Sequence, residues 1–145
     1  MHEALKPFIT TIDHVGVAVA DLDEAIDFYE RTFGLEVSHT EVNDEQGVHE
    51  AMLHAPGDES GPAIQLLAPL RPDSTIAKFL ETRGAGLQQL AYRVTDIETA
   101  SAVLREKGLR LLYDQPKRGT ANSRVNFVHP KDAGGVLVEL VEPAS

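Results

Sequence analysis

At 145 residues with 42% hydrophobic content, the chain can bury a real core, and its length fits one domain or a pair of packed half-domains. It has no cysteine, which excludes a disulfide framework, a thiolate metal centre and a thiol nucleophile. A net charge of −10 argues against nucleic acid or an anionic membrane as partner, and the opening run MHEALKPFITT lacks the apolar core of a signal peptide or membrane span, so a cytoplasmic location is expected.

The first ten or so residues read as a loose arm. Ile12–Val19 alternates, with Ile12, His14, Gly16 and Ala18 on one face and Val15, Val17 and Val19 on the other. The valine face should pack on helices, while the small residues beside His14 leave room above the strand. Asp21 then caps a helix, with Glu24 three residues on as in a capping box; Leu22, Ala25, Ile26, Tyr29 and Phe33 recur at helical spacing and Gly34 stops it. Leu35–Val42 reads as a second strand, Asn43–Gly47 as a turn, Val48–His54 as a third strand and Ala63–Leu67 as a fourth. Val48, Glu50, Met52 and His54 share a face. Ser74 is the N-cap of a linking helix that ends at Gly84. A second series follows: a strand over Leu87–Val94, a helix capped near Asp96 and ending at Gly108, then strands near Leu109–Tyr113, Arg124–His129 and Val136–Val141. Gln115–Asn122 reads as a long basic loop.

The two series are one plan written twice. The spacing that separates His14 from Gln89 also separates Asp21 from Asp96, Leu22 from Ile97 and Ala25 from Ala100. A spacing one residue shorter relates Gly34 to Gly108, Pro56 to Pro130, Asp58 to Asp132, Gly61 to Gly135 and Gln65 to Glu139. Such a shared register marks a repeated supersecondary unit. The expected fold is α+β, with two paired βαβββ modules: repeat 1 over about 11–69, a linking helix over about 74–84 and repeat 2 over about 86–143.

Superimposing the repeats selects four polar side chains in otherwise apolar strands: His14, Gln65, Gln89 and Glu139. A histidine, two amide oxygens and one carboxylate suit a divalent cation in an octahedral site, with Co²⁺, Mn²⁺, Ni²⁺, Fe²⁺ or Zn²⁺ as options. A lone inward histidine is more often a satisfied core residue, but four such positions in register favour a metal, and the site would keep a net positive charge. Lys117, Arg118, Arg124 and Lys131 form a basic cluster, equally readable as a solvated face or an anion patch. By the repeat, Glu50 corresponds to Arg124; without further information it reads as an exposed edge-strand glutamate paired with that arginine.

The segments IDHVGVAV (Ile12–Val19), EQGVHEAML (Glu45–Leu53), STIAKFL (Ser74–Leu80), LLYDQPKRGT (Leu111–Thr120) and SRVNFVHPKDAGGVLVELVEP (Ser123–Pro143) resemble the vicinal oxygen chelate superfamily, and within it the methylmalonyl-CoA epimerases. The resemblance covers nearly everything from Thr11 onward; the Glu45–Leu53 and Ser123–Pro143 segments are the specific ones. It implies a vicinal oxygen chelate-type fold with a metal site in the sheet cavity and metal ligands at His14, Gln65 and Glu139. At the fourth position the family has a histidine where this chain has Gln89, which bears on metal preference more than on the reaction. It also implies that Glu50 is a catalytic base.

On that resemblance the activity is interconversion of (2R)- and (2S)-methylmalonyl-CoA, by removal and return of the α-proton through a metal-stabilised enolate. Glu50 and Glu139 would be the acid/base residues, with one divalent ion per chain, Co²⁺ favoured. Lys117, Arg118 and Arg124 are candidates for contacting the CoA phosphates, and a homodimer is expected. The rivals are a glyoxalase-type lactoylglutathione isomerase, an extradiol dioxygenase and a non-catalytic small-molecule binding member of the superfamily.

Overall fold

The computed structural model describes residues 8–145. Most of the expected arm lies outside the described residues. Ile9 and Thr10, expected in that arm, belong to the first strand. The elements run β1 (Ile9–Ala18), α1 (Leu22–Phe33), β2 (Glu36–Asn43), β3 (Val48–His54), β4 (Ala63–Pro69), α2 (Thr75–Arg83), β5 (Gly86–Val94), α3 (Ile97–Glu106), β6 (Lys117–Arg118), β7 (Arg124–Val128) and β8 (Val138–Glu142). They form two compact units. One is His14–Gln88; the other joins the described residues up to Asp13 with Gln89–Ser145. No helix among the described residues is long and apolar enough to cross a membrane.

In the His14–Gln88 unit the strand order is β2-β3-β4-β1, with β1 parallel to β4 and the other neighbours antiparallel. The Asp21 side chain accepts the Glu24 N–H at 3.0 Å and so starts α1. Gly34 stops the helix in the left-handed region at φ 71°, which is open to glycine without steric cost. Strand alternation then divides the sheet. Val17, Ala51, Leu53, Leu66 and Ala68 pack with Leu22, Ala25, Ile26 and Tyr29 of α1. The opposite face is not left bare: Ile76, Phe79 and Leu80 of α2 pack on Ala18, Val48 and Leu67 at its end. The valine face therefore meets a helix as expected, and the His14 face acquires one as well.

The second unit carries the order β5-β8-β7-β6. Val94, Val128 and Leu140 pack with Ile97, Ala100 and Leu104 of α3. Asp96 caps this helix through Thr99 N–H at 3.1 Å, and the Glu142 carboxylate accepts the Ile97 N–H at 2.9 Å. The strand expected near Leu109–Tyr113 is reduced to a single bridge, Leu111 to Val128. The reason lies in side chains. Asn126, fully buried, accepts the Tyr113 N–H at 3.1 Å and donates to the Tyr113 carbonyl at 3.0 Å, taking both groups that a regular ladder would have used. Asp132 likewise takes the Arg110 N–H at 2.9 Å and its guanidinium at 2.9 and 3.0 Å. The outer strand forms later, as β6, inside the segment expected to be a loop; it pairs Lys117 with Val125 and Arg118 with Arg124.

Leu66 is fully buried at the centre of the first core, so Leu66→Ala should lower unfolding free energy by about 2–5 kcal/mol in urea titrations. The Asp132–Arg110 clamp gives a pH signature. Hydrogen bonds from the Arg110 side chain and backbone hold the Asp132 carboxyl below its ordinary 3.8, at about 2. A depressed carboxyl stabilises the fold above its ordinary value and loses that contribution as pH falls through the folded one. Asp132→Asn should therefore melt below the parent at neutral pH, and the gap in Tm should close between pH 3.8 and about 2.

Candidate functional site

Strand register decides which polar side chains share a face. In the His14–Gln88 unit, His14 lies opposite Ala63 and Gly16 opposite Gln65 across the parallel β1/β4 pair. Met52 lies opposite Gln65 and Glu50 opposite Leu67 across β4/β3. His14, Gln65, Met52 and Glu50 thus point to the face away from α1. His14, Glu50 and Gln65 are each only 3% exposed. The Gln65 amide donates from Nε2 to Glu50 Oε2 at 3.2 Å. Glu50 sits on β3, between β2 and β4, so it is a buried residue of an interior strand and not an edge glutamate.

The same face carries two residues that the sequence reading passed over. On β2, His39 lies opposite Met52 and Glu41 opposite Glu50. The His39 Nε2 and Glu41 Oε1 atoms are 2.7 Å apart. The signal was present in the two-residue spacing of His39 and Glu41, but a register shift after Val37 hides which face they take.

In the second unit, Ala91 lies opposite Glu139 across β5/β8, and Phe127 lies opposite Glu139 across β7/β8. Gln89, Ala91, Glu139 and Phe127 therefore share a face. Glu139 is buried, and Gln89 Nε2 donates to its Oε1 at 2.7 Å. The repeat drifts here by one residue. Val125, not Arg124, lies opposite Val141, as Glu50 lies opposite Leu67 in the first unit. The structural counterpart of Glu50 is Val125. Arg124 turns to the other face, where it pairs with Glu98 at 3.3 Å and Glu142 at 3.9 Å, so the expected Glu50–Arg124 correspondence is corrected.

Among the described residues no three of His, Cys, Asp or Glu cluster to hold a metal ion, so a metal would need the glutamines. Their chemistry fits. In each glutamine the amide nitrogen, which does not coordinate cations, is the end turned to a carboxylate. The amide oxygen is then directed elsewhere. Buried imidazole, amide and carboxylate groups also need strong partners, and a divalent ion with nitrogen and oxygen donors satisfies that need.

The basic cluster is drawn together in part. Lys117, Arg118 and Arg124 line a cavity of about 430 Å³ with Asn122, Ser123 and Glu142, and Lys131 is not among its walls. The turn over Thr120–Asn122 places Ala121 and Asn122 at φ 54° and 62°, and Gly119 beside it cannot carry a side chain: a Cβ would stand 2.5 Å from Val125 Cγ1.

A family model for the Glyoxalase/Bleomycin resistance protein/Dioxygenase superfamily matches residues 13–127. A methylmalonyl-CoA epimerase of Mycobacterium tuberculosis is 57% identical in sequence, with a TM-score of 0.90 over 94% of this chain and 90% of that one. A variant of the Streptomyces coelicolor methylmalonyl-CoA epimerase, in complex with 2-nitronate-propionyl-CoA, is 47% identical with a TM-score of 0.90 over 94% and 99%. The ethylmalonyl-CoA/methylmalonyl-CoA epimerase of Cereibacter sphaeroides is 40% identical over 91% of this chain and 97% of its own length. The chain belongs to this superfamily and has the α+β vicinal oxygen chelate-type fold. Within the superfamily it is an enzyme of the methylmalonyl-CoA epimerase group.

Asn126→Leu removes both partners of the Tyr113 backbone while keeping the volume apolar. It should cost about 1–3 kcal/mol for polar groups left unpaired, read as a lower urea midpoint with the same slope.

Proposed function

We propose that the chain epimerises methylmalonyl-CoA at the carbon between its thioester and carboxylate groups, with Glu50 as the base and with the help of a divalent cation. The observation that carries this reading is a carboxylate only 3% exposed, held by Gln65 on the face that also bears His14. A carboxylate placed so is shielded from the water that would compete for a substrate proton.

The residues that would hold the cation are His14, Gln65, Gln89 and Glu139. When bound, the ion, Co²⁺ or another of the first-row divalent metals, supplies positive charge where the substrate oxygens gain negative charge as the α-proton leaves. Glu50 takes that proton. The Gln65 N–H fixes Glu50 Oε2. Gln65 thereby orients the base. Glu139, steadied at Oε1 by the Gln89 amide, would enter this direction of the reaction protonated and pass that proton to the opposite face of the planar enolate, so the centre inverts and the turnover ends with Glu50 as the acid and Glu139 as the carboxylate.

Deuterium exchange at the α-carbon of methylmalonyl-CoA in D₂O, followed by NMR, tests this. The metal-loaded protein should incorporate deuterium while converting one epimer to the other, and metal-stripped protein should not. Glu50→Gln should slow exchange by roughly 10²–10⁴-fold while keeping its metal content. Full activity in that variant would remove Glu50 from the role of base. A metal-loaded parent that exchanges nothing would turn the reading to a glyoxalase-type isomerisation.

A further inference from the structure

We propose that Glu41 and His39 form a proton relay that carries the proton of Glu50 to solvent between turnovers; this rests on the epimerase reading above. Inversion itself creates the need. A turnover that takes a proton at Glu50 and returns one from Glu139 leaves Glu50 as the acid and Glu139 as the carboxylate, the reverse of the starting state. The next turnover in the same direction waits until Glu50 has lost its proton and Glu139 has regained one. Glu50 is only 3% exposed and sits on a strand flanked by β2 and β4, so bulk water has little direct access to that proton.

The neighbouring strand supplies the way out. Glu41 lies directly opposite Glu50 across the antiparallel β2/β3 pair, and side chains paired in this way share a face with Cβ atoms about 4.5–5.5 Å apart. Glu41 Oε2 is buried, while its Oε1 lies 2.7 Å from His39 Nε2. His39, two residues back along β2, holds the same face opposite Met52. Exposure rises at each step: 3% for Glu50, 12% for the Glu41 side chain and 39% for the His39 side chain. Histidine suits the outermost place, because an imidazole accepts a proton at one ring nitrogen and releases one from the other. Two carboxylates set directly opposite each other also repel. A purely structural partner for β3 would carry a neutral residue at position 41, so the acid there needs a reason, and proton transfer supplies it. The handover balances. Glu50 gives its proton to the Glu41 carboxylate, Glu41 gives one to the His39 imidazole, and the imidazolium so formed releases one to water. Glu41 and His39 end as they began, and one proton has passed from Glu50 to solvent.

The test separates a first turnover from those that follow it. Metal-loaded full chain in excess over the epimer that Glu50 deprotonates, followed by rapid quench, converts it without any reset. Steady-state turnover, with the product epimer drawn off by a stereospecific coupling enzyme, needs a reset in every cycle. His39→Ala should hold the first-turnover rate within about twofold of the parent and lower steady-state kcat about tenfold or more. Imidazole buffer, which fills the space left by the ring, should restore that kcat as its concentration rises and leave the parent unchanged. Glu41→Gln keeps the shape of the side chain but carries no proton, and it should show the same split between first and later turnovers. Parent kcat in both variants would overturn the relay. So would first-turnover and steady-state rates that fall together, or a His39→Ala kcat that ignores imidazole; either marks a pair that only steadies the sheet around Glu50. A parent that converts nothing in the first turnover would sink the epimerase reading and the relay with it, whereas an active parent matched by both variants sinks the relay alone.

Discussion

A carboxylate held away from water is the constraint around which the first unit is built. Glu50 is buried, and burial of a charge is tolerated only beside a strong partner. That partner is an amide on the next strand, Gln65, at 3.2 Å. The contact exists only in the register that sets Glu50 opposite Leu67 and Met52 opposite Gln65. A slip of β3 by one residue would swap its two faces, driving Glu50 into the core with α1 and bringing Ala51 and Leu53 out of it. The same register that packs the core thus assembles the polar face.

The two units apply one plan to different ends. Each places a helix on one face of its sheet and a matched pair of polar residues on the other: His14 with Gln65, Gln89 with Glu139. The first unit adds Glu50, together with His39 and Glu41 on β2. At the corresponding place the second unit has Val125, which belongs to a small apolar cluster with Ala91 and Val141. A single extra residue ahead of β7 makes that difference, because it turns Arg124 towards Glu98 and Glu142. The second unit spends its departures from the repeat on a bracket of Asn126, Tyr113 and Lys117 beside a basic cavity. Symmetric strands present the paired polar residues, and the broken symmetry sets a buried carboxylate in one unit against an apolar cluster in the other.

Much of the fold was legible in the chain because its signals are local. Asp21, Ser74 and Asp96 each cap the helix expected of them, since a side-chain oxygen three residues before an N–H needs no tertiary help. The third strand, Val48–His54, matches the sequence reading because two-residue alternation fixes its phase. Leu109–Tyr113 failed for a non-local reason. Its β propensity was sound, but Asn126 and Asp132, distant in sequence, claim the backbone groups that a strand would pair. The short β6 was missed because two residues carry no periodicity.

By itself the sequence determined the βαβββ repeat, the four polar positions His14, Gln65, Gln89 and Glu139, and the face on which Glu50 lies, all of which follow from period and spacing along one chain. Only tertiary structure decided that Glu50 is interior and held by Gln65, that His39 and Glu41 share its face, that α2 closes the end of that face, and that Val125 replaces Arg124 as its counterpart. Those features depend on which residues of different strands lie opposite one another. That pairing is set by hydrogen-bond register, turns and bulges across the sheet, and alternation within a single strand cannot specify it.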